Sequence, residues 1–184
     1  MKNDILYQTE YGHVRFGRDF RGLLKSCVGQ KTSRYAINSI QVTKDGFVAT
    51  NGQCLVVYIC EHTVRPGLYH LTTEGYGLFN DTTEKFPKWQ DIVPKPSKIK
   101  EVYRVSSVYE DHIRQNFIFH LHNAGVNFQS DWMLDALTRL SRLKAKDVAA
   151  FVLKKESADK PILIKGEMRK GKFLYVQMPI HTVT

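Results

Sequence analysis

Few residues in this chain could do covalent or metal chemistry. Cys54, Cys60 and His62 lie close together and offer two thiols and an imidazole. Such a set could ligate zinc, or pair a thiolate nucleophile with a base. Structural zinc sites, however, draw on paired CxxC-type clusters, and neither a pair nor a second cluster is present. A nucleophile also needs an orienting third group or a phosphate-cradling loop, and no such order of residues occurs. His120 and His122 fall on one face of a predicted strand, NFIFHLH, again without a third ligand. No metal, cofactor or catalytic residue is therefore expected. The three cysteines, an odd number beside an N-terminus that lacks an apolar run, are expected as reduced thiols in a cytoplasmic protein.

The cations are more informative. Lys and Arg number 27 against 18 acidic residues, a net charge of +9, which favours a polyanionic partner such as nucleic acid. Arg18, Arg21 and Lys25 recur at spacings of three and four, on neighbouring turns of one helix. Asp135, Arg139, Arg142 and Lys146 follow at four, three and four. Either face could meet phosphates, and either would also serve as a solvated helix surface.

These cations need helices to hold them. Phe20, Leu23, Leu24, Cys27 and Val28 form the apolar stripe of a first helix, with Asp19 as its N-cap and Gly29 as its stop. Met133, Leu134, Leu137 and Leu140 form that of a second, from Ser130 to about Lys144, with Ser130 as N-cap. Between them, residues 35–60 read as an antiparallel meander. Lys44-Asp45-Gly46 and Asn51-Gly52 supply turns, and β-branched runs supply strands. His13 to Phe16, Leu68 to Leu71, Val102 to Val108, Asn116 to His122, Val148 to Leu153, Pro161 to Ile164 and Phe173 to Met178 read as further strands. Residues 72–85 read as loop, ESADK as a turn, and the proline-bracketed EKFPKWQDIVPKP as an extended connector. An apolar share of 42% fits a folded chain, and no run approaches the roughly 20 residues that span a bilayer.

Five of these runs together resemble the bacterial DNA polymerase III β sliding clamp. FVATNGQCL is similar to the clamp's V-A-T-D-G-H-R-L, and SRYAINSI to its V-R-Y-Y-L-N-G-M. KFPKWQDIVP resembles R-F-P-D-Y-R-R-V-L-P, DWMLDALTRL resembles Y-V-L-D-V-L-N-A-L, and YVQMPI resembles Y-V-V-M-P-M. They occur in the family's own order, over about residues 14–60, 84–94 and 115–180.

The resemblance implies an α+β, clamp-like fold of two strand-helix-three-strand halves, with antiparallel sheets and two amphipathic helices. A single shortened domain is expected, with half one at about 13–60, a connector at 61–97 and half two at 98–184. It implies a non-enzymatic processivity factor in DNA replication. Sequence-independent contacts to double-stranded DNA would come from Arg18, Arg21, Lys25, Arg139, Arg142 and Lys146. The family's pocket for polymerase and partner peptides maps onto Arg34, Ile37, Thr50, Gly52, Gln53, Cys54, Leu55, Pro87, Asp91, Ile92, Val176, Met178, Pro179 and Ile180. Asn51, Gln53, Cys54, Asp91 and Ile180 depart from the family's Asp, His, Arg, Arg and Met, which makes the rim less basic. A homo-oligomer would be needed to encircle DNA. The alternative is an adaptor or regulator of replication that keeps the peptide pocket without forming a ring.

Overall fold

The computed structural model describes residues 6–8, 14–29, 35–80, 83–153 and 161–179. ESADK and the site candidates Arg34 and Ile180 lie outside them. The frame is one antiparallel sheet. Its first half contains β1 (Leu6–Gln8), β2 (Val14–Phe16), β3 (Ile40–Thr43), β4 (Gly46–Thr50), β5 (Cys54–Cys60), β6 (Gly67–Leu71) and β7 (Tyr76–Phe79). The second half adds β8 (Ile99–Ser107), β9 (Lys146–Leu153), β10 (Ile162–Met168) and β11 (Gly171–Gln177). Spatial order is β1-β2-β7-β6-β3-β4-β5-β11-β10-β9-β8. The halves meet where β5 pairs with β11, from Gly171 opposite Cys60 to Gln177 opposite Cys54.

Three helices, α1 (Arg18–Ser26), α2 (Asp111–Asn123) and α3 (Ser130–Arg142), cover one face of this sheet. The first half thus runs β2-α1-β3-β4-β5, a strand, a helix and three strands. The second follows the same order with two helices in the place of one. Among the described residues no helix is long and apolar enough to cross a membrane.

The main core lies between the helices and the sheet. It joins Phe20, Leu23 and Leu24 of α1 and Met133, Leu137 and Leu140 of α3 to Val56, Tyr58 and Tyr175 from the strands. A smaller core on the opposite face gathers Val48, Leu55, Val57, Ile99, Leu163 and Val176 beneath Phe86, Trp89, Ile92 and Val93 of the connector. Cover on both faces explains why β4 is buried at every position and why β5 reads as an unbroken apolar run. Gly46 opens β4 at φ +154°, and a Cβ there would overlap the Tyr58 carbonyl oxygen. Only glycine lets the two strands approach so closely.

Several expectations are corrected. NFIFHLH belongs to α2 and is not a strand. Arg114, Phe117 and Leu121 form its buried stripe at i, i+3 and i+7, while Phe119 stays exposed. The alternation of a short apolar run cannot by itself separate the two periods. Arg114 secures the helix start by donating to the carbonyls of Val108 (2.7 Å) and Tyr109 (2.6 Å) and pairing with Asp111. The loop expected over 72–85 contains β7, which pairs with β2 and β6 and draws part of the expected connector into the first half's sheet. The N-caps are Gly17 and Gln129; Asp19 and Ser130 each sit inside the first turn. Helix α3 ends at Arg142 rather than Lys144. Lys144 adopts φ +56°, and Ala145 N–H donates back to Leu140 O at 2.9 Å, a left-handed cap that turns the chain into β9.

Candidate nucleic-acid interface and peptide pocket

Helices α1 and α3 pack directly against each other. Their polar faces, with the β6–β7 turn, enclose an open groove of about 670 Å³. Arg18, Arg21 and Lys25 enter it from α1, and Arg139 and Arg142 from α3; Leu71, Thr72 and Thr73 form the far wall. Five cations therefore share the groove with one carboxylate, Asp19, which lies 3.7 Å from Arg18. Arg139 is held from its own helix, its Nε donating to Asp135 Oδ2 at 2.7 Å. Lys146 is the one expected DNA contact the fold moves away. The cap at Lys144 carries it into β9, opposite Ser107 and Glu167, so it does not continue the α3 face.

The second site lies where the β5–β11 seam ends. The turn 51–54 is built by side chains acting on backbone. Asn51 Oδ1 accepts from the N–H groups of Gln53 (2.9 Å) and Cys54 (2.7 Å). Thr50 Oγ1 donates to Cys54 O (2.8 Å) and accepts from Gly52 N–H (3.2 Å). Within it only Gly52 has positive φ, at +86°, so this is an Asx-type turn and not a hairpin with two left-handed residues. Met178 N–H extends the seam by donating to Gln53 O at 2.8 Å. Around this point Gly52, Gln53, Gln129, Trp132, Gln177, Met178 and Pro179 line a pocket of about 360 Å³.

Expected pocket residues thus divide into groups. Gly52, Gln53, Met178 and Pro179 meet at the opening. Leu55 and Val176 face each other one step along the seam, in the outer-face core that Ile92 helps to cover. Pro87 and the exposed Asp91 lie on the connector above that core. Ile37 wedges against Gly29 beside Asn51. Thr50 and Cys54 are corrections: both side chains are buried, Thr50 inside its turn and Cys54 in the main core. Trp132 and Gln129 complete the pocket unforeseen. A tryptophan next to Met133 of the α3 stripe was the available signal, and it is exposed in the structure. Gln177 also joins them. Its Nε2 donates to Gln129 O at 3.0 Å, while its buried Oε1 has no partner among the described residues.

Among the described residues, no group of three or more His, Cys, Asp or Glu side chains could hold a metal ion. Hydrogen bonding with Cys54 and burial raise the Cys27 thiol, whereas hydrogen bonds from Cys27 and Tyr175 lower that of Cys54. Burial pushes the Cys60 thiol up to about 11, the opposite of nucleophile activation. His120 stacks on Tyr103 and His122 on Phe128, at centroid distances of 4.1 and 4.5 Å. They belong to separate aromatic contacts and do not share a face.

No protein-family model and no curated protein matches this sequence. Solved structures do match the fold. The DNA polymerase sliding clamp of Bacillus subtilis aligns over 89% of this chain at 12% identity and a TM-score of 0.56. That of Pseudomonas aeruginosa aligns over 88% at 15% and 0.52, and the DNA polymerase III β chain of Streptococcus pneumoniae over 96% at 10% and 0.58. The alignments cover 62%, 63% and 64% of those proteins, so this chain spans less than two thirds of their length. The chain has the fold of bacterial DNA sliding clamps.

Proposed function

We propose that this chain is a non-enzymatic, sliding-clamp-like factor of DNA replication. It holds double-stranded DNA without reading sequence and takes partner peptides in a separate pocket. The observation that carries the first part is the meeting of five cations from α1 and α3 in one groove, although the helices are far apart in sequence. Guanidinium and ammonium groups on long stems suit phosphate oxygens, and a helix pair presenting them positions a duplex without touching base edges. Binding of this kind displaces counterions and weakens steeply with salt. Titration of a labelled duplex at several salt concentrations tests it. A steep slope, equal for unrelated sequences, is expected. A flat slope or a strong sequence preference would overturn the reading.

The pocket supports the peptide half of the proposal. Trp132 and Met178 offer exposed apolar surface, and Gly52 lets a backbone come close. Strand β8 pairs only with β9 and leaves its other edge open among the described residues. Such an edge could join copies of the chain into a closed homo-oligomer around DNA. Light scattering at several concentrations separates the two forms of the proposal. A stable oligomer supports a ring, and a monomer supports an adaptor that works through the pocket.

A further inference from the structure

Gly22 lies inside α1, where glycine costs roughly 0.5–1 kcal/mol relative to alanine. Its neighbours show what the missing side chain allows. A Cβ built there would overlap Arg139 Nη1 and come within 3.2 Å of its Cζ. The guanidinium of α3 therefore rests on the bare backbone of α1, while Asp135 Oδ2 holds its Nε from the other side at 2.7 Å. The arrangement recurs across the groove. A Cβ on Gly75, in the β6–β7 turn, would overlap Arg21 Nη1 and lie 2.9 Å from its Cζ. Each arginine thus lies over a glycine, one on either side of α1, with Gly75 buried and Gly22 half-buried.

We propose that Gly22 is a positioning residue for polyanion binding: it is the floor that holds the Arg139 guanidinium flat across the α1–α3 seam, aimed into the groove. The inference rests on the reading of that groove as a phosphate-binding surface. An arginine free to swing loses side-chain entropy when it meets a phosphate, and one already held by Asp135 and a glycine floor loses less. A purely structural role for Gly22, in close helix packing, predicts something else: any added side chain should lower stability.

The test uses the whole chain, a labelled duplex oligonucleotide and thermal unfolding. Gly22→Ala improves helix propensity and collides only with the side chain of Arg139, which can be displaced into the groove, so its melting midpoint should be unchanged or about 2 °C higher. Its DNA affinity should fall about threefold to tenfold, with a salt slope smaller by about one. Arg139→Ala added to Gly22→Ala should weaken binding by less than about twofold more, since the two changes remove one contact. Arg139→Lys, which keeps the charge but cannot lie flat, should lose affinity as Gly22→Ala does. Full affinity in both Gly22→Ala and Arg139→Lys, with Arg18→Ala/Arg142→Ala weakened, would overturn the positioning role and leave the groove standing. A clear fall in the melting midpoint of Gly22→Ala would also overturn it, in favour of simple packing. Indifference of DNA binding to every one of these variants would overturn both the role and the groove.

Discussion

The groove on the helix layer and the pocket at the end of the seam share a frame but depend on different physics. The groove draws its cations from two elements, and they need only be near one another. Its strength is a sum over charges, each screened by salt and none needing an accurate fit. The pocket rests on backbone geometry set by a few hydrogen bonds, from Asn51, Thr50, Met178 and Gln177. Its strength comes from shape and from apolar surface, which salt scarcely touches. On the proposed reading, one protein would hold a long polymer loosely and a short segment selectively, because the two contacts would respond to different variables.

Loss of charge should divide them most sharply. Replacing Arg18, Arg139 and Arg142 together with alanine should reduce duplex affinity about a hundredfold or more at low salt, and lower the salt slope by about three. Peptide binding, read on the same preparation by titration, should be unchanged. A parallel loss of both would mean that the variants disturb the frame.

The converse change comes next. Trp132→Ala with Met178→Asp should weaken peptide binding by about 2–3 kcal/mol and leave DNA affinity within about twofold. Leu55 is unsuitable for this purpose despite its place in the family's pocket. It is 2% exposed in the outer-face core, so Leu55→Ala should cost about 2–5 kcal/mol of folding stability, measured by denaturant unfolding.

A finer test concerns the turn. Asn51→Ala removes the acceptor of two backbone N–H groups and should destabilise the chain by about 1–2 kcal/mol. It should weaken peptide binding and spare the groove; a variant as stable as the parent would deny the turn its part in the pocket. The smallest effect is expected at Cys60. With its thiol pushed up to about 11, roughly one molecule in a thousand carries the thiolate at pH 8, and alkylation should be slow and quicken as pH rises toward that value. Rapid modification at neutral pH, or loss of either binding activity on modification, would contradict the structural role of this residue.

Much of the fold was legible because local signals agreed. In β3 to β5 the turn residues and the β-branched runs mark three strands and two turns, and the structure has them, with the register set by Thr43 opposite Gly46 and Thr50 opposite Leu55. The stripe Phe20, Leu23, Leu24 is equally consistent with one helix face. In α2 the signals disagree: seven residues of alternation suggest a strand, and only packing of Phe117 and Leu121 against the sheet and α3 selects the helix. The β7 strand was hidden for another reason. Its glycines and turn neighbours read as loop, and it exists because β2 and β6 provide backbone partners on both sides.

By itself, then, the sequence determined the spacing of the cations on each helix, the apolar run that ends in Thr50-Asn51-Gly52, and the clamp-like order of segments. These depend on residues near in the chain, where side-chain type and backbone preference act directly. Tertiary structure alone decided that Arg21 and Arg139 would share a groove, that Lys146 would leave it, that Cys54 would turn inward, and that Trp132 would close the pocket beside Met178. Lys146 leaves because the cap at Lys144 turns the chain into β9, while the meeting of the two halves follows from the pairing of β5 with β11, which joins segments more than a hundred residues apart. No local preference encodes such a pairing; it is selected by burial of two apolar faces at once.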